Sequence, residues 1–331
     1  MNNNSFDPDS LNEEYYQVSP EILDCFPKFR LPLNLYQYSE KIAQLAPFYT
    51  AETRLHQEQQ REMLQLSRAG HLFVSRADHK IYARHISRQL DMILMDNKLT
   101  AEEIVYIFRY ALTDKINGFY DQPVKPALDK LKSDVLVLTQ YLTEDLSRIN
   151  GLLGYLHNEY SHVNLAYNAG ITGLAVYIDI QGKDLKRKTV DQLALGLFTH
   201  VLGLTRVPAF ILEKKTNLSR EEKAKLVNYP MTGAGVMRKL DVLEDVVLNC
   251  HLEHKELMDG TGLPRGIKGN ETSLYGKIAA AVHAFFELSM VRNDKAVPAD
   301  KVLEYLIKAE SKYDTRITKR MNRVLLDLTV R

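Results

Sequence analysis

His254-Lys255-Glu256-Leu257-Met258-Asp259-Gly260-Thr261-Gly262-Leu263-Pro264-Arg265-Gly266-Ile267-Lys268-Gly269 holds four of the sixteen glycines in a chain of 331 residues, with a proline inside the glycine series. No helix interior tolerates that composition: relative to Ala, Gly costs about 1 kcal/mol and Pro about 3. The runs on either side, Val242–His254 and Ser273–Val291, are apolar and helix-forming. A long, glycine-shaped loop between two core helices is more often functional than decorative. The glycines alone require only turns with positive φ.

Composition limits what such a loop can serve. Apolar residues make up 45% and charged residues 26%, the balance of a globular protein with a real core. A formal net charge of +1 gives no sequence-wide field toward nucleic acid or anionic lipid. Cys25 and Cys250 lie far apart without metal-ligand spacing, which argues for a reducing compartment and against a disulfide scaffold. No apolar run approaches the roughly 18 residues that span a bilayer. The polar, acidic start, Met1 to Ser10, is no signal peptide. A cytoplasmic location is therefore expected.

Three segments are expected: a disordered tail over 1–20, a smaller helical or α/β domain over 21–146 suited to sensing or docking, and an all-α bundle over 147–331. Residues 26–50 carry prolines and partial alternation, so an extended arm is expected there. Thr53–Gly70 reads as a polar helix stopped by Gly70. His71–Ala77 is a short β-like run able to pair with the arm. From Asp78 the pattern is helical almost without break. Thr100-x-x-Glu103 and Ser219-x-x-Glu222 are capping boxes. Further helices are expected over Val124–Thr143, Leu152–Ile180, Val190–Gly203, Ala299–Lys312 and Thr315–Leu328. Tyr229-Pro230 is expected to interrupt the helix opened by Ser219. The seam between the two larger domains is placed near 143–150.

The loop resembles the one that names the HD-GYP family of cyclic di-GMP phosphodiesterases, His-His-Glu-x-x-Asp-Gly-x-Gly-Tyr-Pro-x-Gly. His254, Glu256, Asp259, Gly260, Gly262, Pro264 and Gly266 are in register, while Lys255 replaces the second His and Leu263 the Tyr. The similarity extends over about residues 150–295. His162, within Ser161-His162-Val163-Asn164, resembles the family's first metal-binding His. His200 stands at the His of the His-Asp pair, whose Asp is Val201 here, and Leu204 replaces the phosphate-contacting Lys. Gly203 and Pro208 follow the family pattern. Tyr229-Pro230, with Gly233, stands where the family has His-Pro and a later Gly. His283 takes the place of the last carboxylate, and Arg292 matches an Arg beyond that helix. The resemblance implies a mostly α, HD-GYP-like bundle.

It also implies a metallohydrolase ancestry with altered chemistry. In the family, metal ions share a bridging carboxylate and activate water, whose pKa falls to about 7 on a divalent ion. Val201 offers no lone pair, and Tyr229 ligates poorly unless ionised. Lys255 brings a like charge, repelling a cation ~4 Å away by on the order of 4 kcal/mol at an effective dielectric of 20. No catalytic residue is expected to survive. The donors left for one divalent ion (Zn, Mn or Fe) are His162, His200, His283 and His254. The other reading is that these are leftover histidines in a repacked pocket. Lys255, Glu256, Asp259 and Arg292 are the candidate ligand-binding groups, with Lys255 either paired to Glu256 or Asp259, bound to a phosphate, or simply solvated. Gly260, Gly262, Pro264 and Gly266 frame the loop, and Leu263 keeps an apolar tip suited to a protein contact. The implied partners are cyclic di-GMP or a signalling protein such as a diguanylate cyclase, in a chain able to form oligomers. The implied role is a binding or interaction module in cyclic di-GMP signalling. The alternative is a phosphodiesterase working through one metal. Lys183–Lys188 reads as a solvated turn, and His79 and His85 lack ligand spacing.

Overall fold

The computed structural model describes residues 14–24, 26–27, 29–39, 44–86, 90, 99–214, 216–292 and 294–326. The chain divides into two compact units, Met1–Ala111 and Leu112–Arg331.

The first unit carries a four-stranded antiparallel sheet in the order β1-β4-β2-β3, with β1 at Tyr15–Gln17, β2 at Leu35–Ser39, β3 at Gln44–Tyr49 and β4 at Leu72–Ser75. The extended arm does pair with the run after His71, through Tyr36 opposite Phe73. Because Tyr15–Gln17 is a strand, the tail read over 1–20 ends by residue 15; residues 1–13 lie outside the described ones. Helix α1 (Pro20–Asp24) and helix α2 (Gln57–Arg68) follow the chain order. Gly70, at φ +73°, lets the chain turn back so that His71 N–H reaches Leu66 O at 2.8 Å and Gly70 N–H reaches Ser67 O at 3.0 Å. Helix α3 covers His79–Ile86, within the helical pattern read from Asp78, while residues 87–89 and 91–98 lie outside the described ones. Helix α4 (Ala101–Asp121) is opened by the expected capping box: Thr100 N–H donates to Glu103 Oε2 at 2.9 Å, and Glu103 N–H to Thr100 Oγ1 at 3.3 Å. Both oxygens of Glu103 also accept from Arg76 at 2.6 Å.

The second unit is a helical bundle built on α7 (His162–Gln181), buried without interruption from Leu165 to Ile178. A helix apolar on every side belongs inside a bundle. It packs against α8 (Arg187–Thr199), α12 (Leu274–Ser289) and α14 (Thr315–Leu326). Gly170 permits the closest approach, since a Cβ there would lie 2.2 Å from the Phe198 ring. The division falls within α4, not near 143–150. Helix α5 (Lys125–Glu144) belongs to the second unit because it packs on α8, with Arg187 donating to Leu136 O at 2.8 Å and Thr139 to the Asp191 carboxylate.

Two helix readings change. The run from Leu152 splits into α6 (Ile149–Leu153) and α7, because Ser161 caps α7 by accepting from Asn164 N–H at 3.0 Å. After α9 (Ala209–Glu213), helix α10 runs unbroken over Arg220–Lys239 with Pro230 inside it. Packing on α11 (Asp245–Glu253) and on the 3-10 turn Leu202–Arg206 outweighs the missing N–H. Its capping box forms as read, with Ser219 N–H to Glu222 Oε2 at 2.7 Å. Helix α13 (Ala299–Lys308) precedes α14.

Candidate functional site

Two helix ends and one helix centre bring the site together. His200 caps the C-terminus of α8, His254 caps α11, and His283 sits in mid-α12. All are buried, and the rings stand 4.8–5.2 Å apart, centre to centre. His200 and His283 share a hydrogen bond while His254 makes its own, and the proton positions follow from acceptor-only carbonyls. His200 Nδ1–H donates to Leu197 O at 2.7 Å, so its Nε2 carries a lone pair. That lone pair faces His283 Nδ1 at 3.1 Å, which must therefore hold the hydrogen. His254 Nδ1–H donates to His251 O at 2.8 Å, and its Nε2 accepts the Tyr229 hydroxyl at 2.7 Å. Burial holds His200 and His254 far below the usual imidazole range, and raises the Tyr229 phenol well above its own, so it stays a donor.

The rest of His283 meets a residue that sequence reading missed. Its Nε2 lies 3.4 Å from Glu287 Oε2, one turn along α12, and among the described residues it has no hydrogen-bond partner. Burial lowers the His283 imidazole despite the pull of Glu287. Glu287 also accepts from Lys255 Nζ at 2.8 Å. Burial pushes its carboxyl up, but His283 and Lys255 outweigh that and hold it well below the ordinary range. The signal available was the His283-x-x-x-Glu287 spacing, which places both side chains on one helix face.

Lys255 therefore pairs with Glu287 and with neither carboxylate expected for it. Glu256 is fully committed elsewhere: it is 2% exposed and accepts from Arg265 N–H at 2.8 Å and Ile267 N–H at 3.2 Å. Asp259 is exposed and closes a turn by accepting from Thr261 N–H at 2.9 Å and its hydroxyl at 2.6 Å. Both carboxylates shape the loop. Gly260 and Gly266 take φ of +80° and +64°, whereas Gly262 serves close approach, its absent Cβ falling 2.2 Å from Leu257 N. Pro264 follows a cis bond from Leu263, and Leu263 is exposed at the tip. Glu253, also missed, is 4% exposed and fastens the loop's root, accepting from Ser273 N–H at 2.9 Å, Ser273 Oγ at 2.6 Å and Arg265 at 3.1 Å.

His162 opens α7 with its ring edge-on to Tyr160 at 5.9 Å, and Arg292 lies over the same Tyr160 ring at 3.3 Å. Burial lowers the His162 imidazole, and Arg292 and His283 lower it further. His251, a further missed residue, is fully buried with Nε2 at 2.9 Å from Thr199 Oγ1, and burial pushes it down to about 3.

The donor set does not match a site for bridged divalent ions. Val201 and Leu204 are buried apolar side chains at the positions where the family has Asp and Lys. The inward lone pairs of His200 and His254 already accept internal hydrogens. Among the described residues, no three His, Cys, Asp or Glu side chains are grouped to hold one ion.

Comparison with known proteins agrees with this architecture. An HD-domain family model matches residues 155–317. The cyclic di-GMP phosphodiesterase PdeB of Borreliella burgdorferi is 30% identical over 137 residues, which cover 40% of this chain and 35% of that protein. The 3'3'-cGAMP-specific phosphodiesterase 3 of Vibrio cholerae is 30% identical over 141 residues, covering 41% of this chain and 30% of the relative. The match thus spans about a third of the length of these curated relatives. In fold, the chain is similar to Bd1817, an HDG"Y"P protein from Bdellovibrio bacteriovorus, with a TM-score of 0.63 at 13% identity over 94% of this chain and 99% of that one. The loop frame and the clustered histidines agree with these likenesses: residues 155–317 match an HD domain, and the chain shares the fold of an HD-GYP-type protein.

Proposed function

We propose that this HD-GYP-like protein binds a cyclic dinucleotide without hydrolysing it, and passes that state to a partner through its glycine-rich loop and exposed Leu263. The observation that carries the reading is Val201: a fully buried valine stands where the resemblance puts the carboxylate that bridges metal ions. Without that bridge there is nothing to share charge between two ions or to hold an attacking hydroxide. The relatives are named for cyclic di-GMP and for 3'3'-cGAMP, which sets the ligand class. Arg292, exposed over Tyr160, offers an anchor for a phosphate. The first unit, Met1–Ala111, serves in this reading as the sensing or docking part.

A phosphodiesterase working through one ion is the second reading, favoured by the mutual approach of the His200, His254 and His283 rings. Calorimetric titration with cyclic di-GMP and 3'3'-cGAMP, run beside a hydrolysis assay with manganese or iron, separates the two. Saturable binding without turnover is expected. Turnover lost on His200→Ala establishes the enzyme instead, and neither binding nor turnover leaves a nucleotide-independent scaffold.

A further inference from the structure

We infer that a cavity at the carboxyl end of α7 is a second binding site, one for a small soluble phosphomonoester with an apolar body. The inference does not depend on the reading above. Helix α7 carries His162 at its start and Ile180, which lines the cavity, near its end. At 1.5 Å per residue those two positions are about 27 Å apart.

The cavity measures about 600 Å³, within the roughly 300–1,000 Å³ of small-molecule sites. Its floor is aliphatic, made by Ile180, by Leu274 of α12 and by Ile317 of α14. Its rim is cationic: Arg316, Lys319, Arg320 and Arg323 recur at helical spacing and so share one face of α14. No carboxylate is among the described lining residues. Asp179 and Asp314 orient the rim without lining the cavity. Arg320 Nη1 donates to Asp179 Oδ2 at 2.6 Å, and Arg323 Nη2 donates to the other oxygen of that carboxylate. Arg316 reaches Asp314 through Nε at 3.3 Å and Nη2 at 3.2 Å. Each fork keeps further N–H groups with no partner among the described residues, and so does the exposed Lys319. Four cations against two carboxylates leave an excess of two positive charges (4 − 2 = 2). A phosphomonoester carries about −1.5 to −2 and three acceptor oxygens, which matches that excess. Guanidinium forks suit those oxygens in pairs. The floor asks for an apolar body on the phosphate, and its depth excludes a flat surface, because Ile317 is 1% exposed.

The test is calorimetric titration of the full chain with phenyl phosphate, inorganic phosphate and phenol, in about 0.15 M salt so that loose surface attraction is screened. Phenyl phosphate is expected to saturate one site per chain, about tenfold more tightly than inorganic phosphate, and phenol to give no binding. Arg316→Ala and Lys319→Ala are each expected to weaken phenyl phosphate about tenfold. Both side chains are exposed, so these variants keep the fold. Leu274→Ala is expected to erase the preference for phenyl phosphate over inorganic phosphate. Arg292→Ala, at the histidine end, is expected to change nothing. The absence of saturable phenyl phosphate binding overturns the inference. So does binding that survives Arg316→Ala and Lys319→Ala unchanged, or that is lost on Arg292→Ala, which places the anion in the histidine pocket. Two further arms separate other sources of negative charge. Binding to phosphatidic acid vesicles or to a glutamate-rich peptide, with none to phenyl phosphate, replaces the small-molecule site by a membrane or protein contact.

Discussion

Tyr229 gives its phenolic hydrogen to His254 Nε2 across 2.7 Å, in a place with no access to water. A tyrosine thereby occupies the lone pair that an imidazole would offer to a metal. Tyr229→Phe leaves that nitrogen buried and unpaired, which costs about 1–3 kcal/mol. Urea unfolding should show the midpoint falling with an unchanged slope. A variant as stable as wild type would mean the pair is not held in solution.

Glu253→Ala should loosen the loop without unfolding the bundle first. It strips the buried carboxylate from Ser273 N–H, Ser273 Oγ and Arg265 together. The loss expected for one side of such a buried network is about 3 kcal/mol. Limited proteolysis should cut within 257–272 sooner than in wild type, and hydrogen exchange should rise at Ser273 and Gly276.

Gly170→Ala tests the packing that centres the bundle. The new methyl would collide with the Phe198 ring, 2.2 Å away. Overpacking of this kind costs about 1–3 kcal/mol, even though alanine favours the helix. Thermal unfolding should show a lower Tm; a rise would mean the two helices stand further apart.

Acid should weaken the attachment of α14 to α7. Asp179 is partly buried, which pushes its carboxyl up, but hydrogen bonds from Arg320 and Arg323 outweigh burial and lower its pKa. A depressed carboxylate contributes stability that is complete above its unfolded pKa, about 3.9, and is lost as pH falls through the folded value. Asp179→Asn should remove about 1 kcal/mol near neutrality, and the difference from wild type should shrink in acid. Stability measured from pH 7 down to pH 2 checks the sign.

Local features were the legible ones. The capping boxes at Thr100 and Ser219 need only side chains three residues apart, and both form as read. The loop between α11 and α12 followed from glycine and proline chemistry. Features set by distant packing were not legible. Pro230 stays inside a helix because neighbours bury that stretch, and no sequence window contains them. The assembly of His200, His254 and His283 came from the family resemblance, since the three lie on separate helices. Attention to the family's positions also hid Glu287, which no aligned motif marks although it lies on the face of His283. The alternative that pairs Lys255 with Glu256 or Asp259 fails because those carboxylates are taken by the loop's own backbone.

Glu253 ends one helix and holds the first cap of the next, so both stems of the intervening hairpin-like excursion are set by a single anchor. Whatever lies beyond that anchor can change length or composition while the stems stay in place. Closure entropy grows only logarithmically, about 0.6 kcal/mol for each doubling of length. The tip around Leu263 is thus an exchangeable surface: recognition of new partners can evolve, or be engineered, there while the helical scaffold beneath is kept.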